Sequence, residues 1–126
     1  MKTWMVCLLL LLTVPAWAGF YPDVMVLATG VTTNITSTPV AVVNADKRTF
    51  WAEVICSSGA CTQTVEIYGA RENAAANGLL LCTITLSGTP RDQDACAVST
   101  AAYPFYYVVT SNTTGTGAAG SVYAFY

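Results

Sequence analysis

The chain has 126 residues, a formal charge of −2, no histidine, and 5 Lys and Arg against 7 Asp and Glu. That balance excludes a nucleic-acid partner, which needs a clustered basic face. The absent histidine removes Ser-His-Asp, Cys-His and His-ligated metal chemistry in one step.

The first stretch, "MKTWMVCLLLLLTVPAWA", carries Lys2, an apolar run through Leu12, and Ala16-Trp17-Ala18 as a small-x-small cleavage site. This is the pattern of a secretory signal peptide. The run is shorter than the ~20 residues of a spanning helix, and no later segment is long and uninterruptedly apolar, so no stable membrane span is expected after cleavage. The expected organisation is a signal peptide over 1–18 and one domain over 19–126, about 108 residues, a usual domain size. Cys7 leaves with the signal.

Apolar and β-branched runs then recur about every eight to fifteen residues with turn residues between them, and no helical period persists. The pattern predicts strands over Asp23–Ala28, Thr38–Val43, Thr49–Cys56, Cys61–Gly69, Leu79–Leu86, Ala95–Ser99, Phe105–Ser111 and Ser121–Tyr126. The connecting segments "NADKR", "SSGA", "ARENAAANG", "SGTPRDQD" and "SNTTGTGAAG" are rich in turn formers. Arg71–Asn77 is read as a short helical segment stopped by Asn77-Gly78. The fold class is all-β: a single antiparallel β-sandwich of about seven to eight strands, with turn signals at the spacing such folds show.

Four cysteines remain in the exported chain: Cys56, Cys61, Cys82 and Cys96. An even number in an oxidising compartment reads as two disulfides. Of the three connectivities, the local one is expected, because Cys56 and Cys61 bracket a four-residue turn and Cys82 and Cys96 a longer loop. Zinc would need paired CxxC or histidine ligands, so neither metal nor cofactor is expected.

A turn between Cys56 and Cys61 predicts a β-hairpin pairing Val54 with Gln63, Ala52 with Val65 and Phe50 with Ile67, giving one nearly apolar face toward the core. Its other face would then carry Trp51, Glu53 and Ile55 opposite Thr62, Thr64, Glu66 and Tyr68. Trp51, Glu53, Ile55, Thr64, Glu66 and Tyr68 are the expected binding face, suited to sugar ring faces or a protein partner. The competing arrangement buries Trp51 and Ile55 under a second layer. Glu53 and Glu66 would lie diagonally across the hairpin, at a spacing a two-carboxylate glycosidase uses, but charges that guard a strand are the better reading. Asp92 and Asp94, with Asn44 and Asp46, lack the glycine-spaced loop of a calcium site and read as turn solvation. Asn34 and Asn112 each open an N-glycosylation sequon.

The closing segment, "AAYPFYYVVTSNTTGTGAAGSVYAFY", reads as two aromatic strands joined by a Gly/Thr loop, most simply as a hairpin. Here "TITLSGT", "YPFYYVV" and "GTGAAGSV", in that order within Cys61–Tyr126, resemble the closing strands of small β-sandwich proteins from tailed-phage particles. The resemblance implies a sandwich and a decoration or fibre-associated structural role, with no site residues to carry over.

The functional expectation is a secreted protein of the extracellular space, cell surface or periplasm. It is not an enzyme, and it acts as a structural, adhesive or assembly module through contact with a protein, with itself or with a cell-surface glycan. A carbohydrate-binding module is the alternative, favoured if Trp51 and Tyr68 prove coplanar and exposed; an assembly subunit should show an open sheet edge near a terminus. A small outer-membrane barrel is the further alternative, suggested by the aromatic last strand, although strands of seven or eight residues are short for the roughly nine to eleven a membrane strand needs.

Overall fold

The computed structural model describes residues 24–42, 48–98 and 103–125. The expected signal peptide, Asn44 and Asp46 lie outside them. Among the described residues there is no helix, and there are eight strands: β1 (Val24–Val31), β2 (Val40–Ala41), β3 (Arg48–Ile55), β4 (Ser58–Ala70), β5 (Leu79–Gly88), β6 (Arg91–Val98), β7 (Phe105–Thr116) and β8 (Ala119–Phe125). They form two antiparallel four-stranded sheets, sheet I in the order β1-β8-β3-β6 and sheet II in the order β2-β7-β4-β5. The pairs β1 with β8, β2 with β7, β3 with β6 and β4 with β5 are those of a jelly roll.

The alternation of side chains explains which face of each strand turns inward. Phe50, Ala52 and Val54 of β3 face Gln63, Val65 and Ile67 of β4, with Ile84 and Leu86 of β5, Val108 of β7, and Val122 and Ala124 of β8 completing a core at 2% exposure or less. The buried polar residues are Ser37, Thr110 and two with long side chains, Gln63 and Arg48. Gln63 donates its amide to Thr113 Oγ1 (3.1 Å) under Gly120, where any Cβ would strike the Gln63 amide. Arg48 lies with its guanidinium 4.8 Å from the centre of the Tyr106 ring, a favourable cation–π arrangement.

Both expected disulfides are present, Cys56–Cys61 and Cys82–Cys96. The hairpin expected around the first is not. β3 pairs with β6 and β8, and β4 pairs with β5 and β7, so Phe50 and Ile67 meet across the core rather than side by side. The chain turns through Ser57 and Gly59, whose φ of 73° suits glycine, and crosses from one sheet to the other. An inward-facing alternation satisfies a hairpin and a sheet-to-sheet crossing equally well, because both bury the same residues. Each disulfide therefore joins sheet I to sheet II. The Cys56 amide also donates to the Pro90 carbonyl (2.7 Å), linking this crossing to the one between β5 and β6.

The closing hairpin is corrected in the same way: β7 belongs to sheet II, while β8 lies inside sheet I between β1 and β3. Of the consecutive strands, β4 and β5 pair directly, joined by residues 71–78. The helical segment expected there is a run of bends ending at Asn77, φ 59°. Seven residues, about two turns, do not recover the nucleation cost, since isolated helices below about 12 residues are marginal. Two segments read as loops are partly strand: β6 starts at Arg91, and β7 runs on to Thr116. In β6 the turn-forming aspartates satisfy backbone amides. Asp92 accepts from the Ser87 (2.7 Å) and Gln93 (3.0 Å) amides and Asp94 from that of Ala95 (2.7 Å).

A membrane barrel requires one closed sheet with an apolar exterior. Two separate sheets with an apolar layer between them are a different object, so the barrel alternative is set aside. No helix of the described residues is long and apolar enough to cross a membrane. The two disulfides belong to an oxidising environment.

Candidate functional site

The expected binding face is divided by the fold. Trp51, Glu53 and Ile55 lie on the outer face of sheet I, whereas Thr64, Glu66 and Tyr68 lie on the outer face of sheet II. The diagonal Glu53–Glu66 pair and the coplanar Trp51–Tyr68 pair therefore do not form. The reason is again the crossing at Cys56–Cys61, which turns the two outer faces away from each other.

On sheet I the division creates a new neighbourhood. The inward positions Val122 and Ala124 of β8 leave Tyr123 and Phe125 outward, and the β3–β8 register sets Tyr123 beside Trp51 and Ser121 beside Glu53. The Trp51 and Tyr123 rings are 5.5 Å apart at 35°. Beyond Tyr123 lies Val26 of β1, half exposed, and beyond Trp51 lies Ala95 of β6, so one row crosses all four strands. Trp51, Glu53, Tyr123 and Phe125 line a shallow pocket of about 370 Å³. Trp51 is half-buried and Ile55 exposed.

The polar border of this pocket is an ion pair. Arg91 Nε stands 2.7 Å from Glu53 Oε1, with the Glu53 side chain 13% exposed and that of Arg91 54%. Arg91 also donates to Gln93 Oε1 (3.2 Å). A half-exposed cation over a nearly covered carboxylate contributes little to stability, about 0–1 kcal/mol. It does hold Glu53 in one orientation.

On sheet II the ring of Tyr68 stacks on Tyr107 (5.0 Å, 5° between planes), and its hydroxyl donates to Glu66 Oε2 (2.9 Å). The Tyr68 phenol is pushed above its ordinary value of 10.0, first by that hydrogen bond, then by desolvation and by the negative charge of Glu66. Glu66→Gln is expected to bring the Tyr68 titration to lower pH, read from phenolate absorbance in an alkaline titration. A neutral phenol favoured by the fold supports stability below the unfolded tyrosine pKa, and that support is lost as pH rises through the folded value. Unchanged midpoints in the two proteins would refute the link.

The rest of this face is occupied with itself. Thr62 Oγ1 donates to the Asn112 carbonyl (2.8 Å) and meets Thr114 Oγ1 (2.7 Å), and Asn112 Nδ2 reaches Thr64 Oγ1 (3.4 Å). Both sequon asparagines are exposed, and Asn34 Oδ1 accepts from the Thr113 amide (3.2 Å). A second pocket, about 380 Å³, sits at the β4–β5 connection and is lined in part by Arg71, Glu72, Asn77 and Tyr103.

The site residues missed from sequence are Val26, Arg91, Tyr123 and Phe125. The alternation of Val122 and Ala124 with Tyr123 and Phe125 was a readable signal that two aromatics share an outer face. Their position beside Trp51 was not readable, because it depends on β8 inserting next to β3. No protein-family model and no curated protein sequence matches the chain.

Proposed function

We propose that this is an exported, non-enzymatic β-sandwich module of the extracellular space, cell surface or periplasm. It acts as a structural, adhesive or assembly component, and its working surface is the outer face of sheet I. The observation that carries this reading is the row of Val26, Tyr123 and Trp51, with Phe125 beside it, displayed on a sheet cross-linked to its partner sheet. Solvent-facing aromatics on a rigid frame are the usual anchors of a contact surface.

The edges of sheet I favour its face over edge-to-edge addition. β1 is an edge strand near the N-terminus, as an assembly subunit would have, but its register shifts between Val26 and Ala28 and between Ala28 and Val31. β6, at the opposite edge, carries Arg91, Asp92 and Asp94. Irregular and charged edges resist strand addition. A non-enzymatic role is supported by Glu53 and Glu66 standing on opposite outer faces, each with its own side-chain partner. The jelly roll serves capsid and lectin domains alike, so the resemblance to phage-particle proteins and the carbohydrate-binding alternative both suit it by analogy.

The test is retention of the oxidised mature protein on cell-envelope and particle surfaces, with light scattering for self-association. Trp51→Ala is expected to lose at least about tenfold of whichever contact the wild type makes, about 1.4 kcal/mol, while its far-UV spectrum stays unchanged. Equal behaviour of the two proteins in every assay would refute the reading.

A further inference from the structure

Resting on the reading that the outer face of sheet I is the working surface, we infer that the pocket of Trp51, Glu53, Tyr123 and Phe125 binds neutral pyranose glycans. A pyranose has an apolar C–H face and a rim of hydroxyls. Its binding site needs aromatic plates for the face and fixed polar groups for the rim. Both are on this surface.

The plates are Trp51 and Tyr123, 5.5 Å apart and inclined at 35°. They stand on β3 and β8, the two interior strands of sheet I, where pairing on both sides fixes the backbone. Little backbone ordering is then left for the ligand to impose, which lowers the cost of binding. A volume of about 370 Å³ falls at the small end of the range of about 300–1,000 Å³ for ligand sites. That suits one or two sugar units of a longer chain lying over an open face.

The rim is the Glu53–Arg91 pair with Ser121 and Gln93, which the register places on either side of Glu53. The carboxylate has lone pairs beyond the one Arg91 engages, and the guanidinium has further N–H donors, so the pair both accepts from and donates to hydroxyls. Its net charge is zero, so it offers no net attraction to an acidic or a basic ligand. A dry protein interface would have to desolvate this ion pair, a cost that its own attraction often fails to recover. A sugar keeps the pair hydrogen-bonded.

The sequence also provides the reporter. Its 3 tryptophans are Trp4, Trp17 and Trp51, so under tryptophan-selective excitation residues 19–126 report from Trp51 alone. The experiment titrates oxidised 19–126 with neutral gluco-, manno-, galacto-, xylo- and N-acetylglucosamine oligosaccharides, with an oligogalacturonate as the acidic control. At least one neutral series should give a saturable change in Trp51 emission, with a Kd of about 10 μM to 1 mM. Tyr123→Ala should weaken it at least tenfold, and Glu53→Gln several-fold, with the reporter retained. Tyr123→Leu keeps apolar bulk and serves if the alanine variant folds poorly.

No response up to about 10 mM, ten times a millimolar Kd, or a stronger response to the acidic control, would overturn the glycan assignment. If Trp51→Ala still abolished surface retention, the working-face reading would survive that failure. If it did not, both would fall.

Discussion

Replacing Cys56, Cys61, Cys82 and Cys96 together by alanine is expected to lower stability by about 5 kcal/mol, read from denaturant unfolding of the oxidised wild type against the variant. The chain-entropy model assigns about 2 kcal/mol to the bridge with a sequence separation of 5 and about 3 kcal/mol to the one with a separation of 14. Domains of this size have about 5–15 kcal/mol in total, so the variant should sit at the edge of folding at 37 °C. The Cys82–Cys96 pair alone should lower Tm by roughly 12–24 °C, at about 4–8 °C per kcal/mol for a small domain. The location of the bridges strengthens the expectation. β5 and β6 are edge strands of their sheets, connected in sequence by Thr89 and Pro90, and this bridge ties the two edges together. A combined loss below about 1 kcal/mol would mean that core packing alone holds the sheets face to face, against the entropic model.

Phe50→Ala is expected to cost about 3–5 kcal/mol, whereas Trp51→Ala, one residue along the same strand, should cost less than half as much. Phe50 is fully buried, its ring 5.4 Å from that of Tyr106, which in turn lies beneath the Arg48 guanidinium. Truncation leaves a cavity between two disulfide-linked sheets that cannot close freely, so the cavity adds to the lost transfer energy. Trp51 is half-buried on the outer face, where water fills the space left behind. Chemical denaturation of the two variants measures the asymmetry directly. A larger loss at position 51 than at 50 would invert the inward and outward faces of β3, and with them the proposed site.

These two expectations draw on different kinds of information. The disulfide pairing was legible because nearby cysteines around turn residues have few other partners, and Cys56–Cys61 and Cys82–Cys96 are the pairs present. The strands were legible because a half-buried strand must alternate; Phe50, Ala52 and Val54 inward with Gln63, Val65 and Ile67 follow that rule. The ends were less so. Arg91–Asp94 and Asn112–Thr116 have turn composition yet lie in strands, since hydrogen bonds to neighbours outweigh local preference once the sheets assemble.

The sequence by itself determined the all-β class, which residues of a strand share a face, and the local pairing of the cysteines. Only the tertiary structure decided which strands are neighbours. Burial depends on the side-chain period within one strand, and a hairpin and a crossing between sheets satisfy it equally. Pairing depends on hydrogen bonds between strands far apart in sequence, such as β3 with β8. That one choice moved Tyr68 and Glu66 to the opposite outer face and brought Tyr123, Phe125 and Arg91 to Trp51 and Glu53, so the candidate site is a product of long-range register rather than of any local motif.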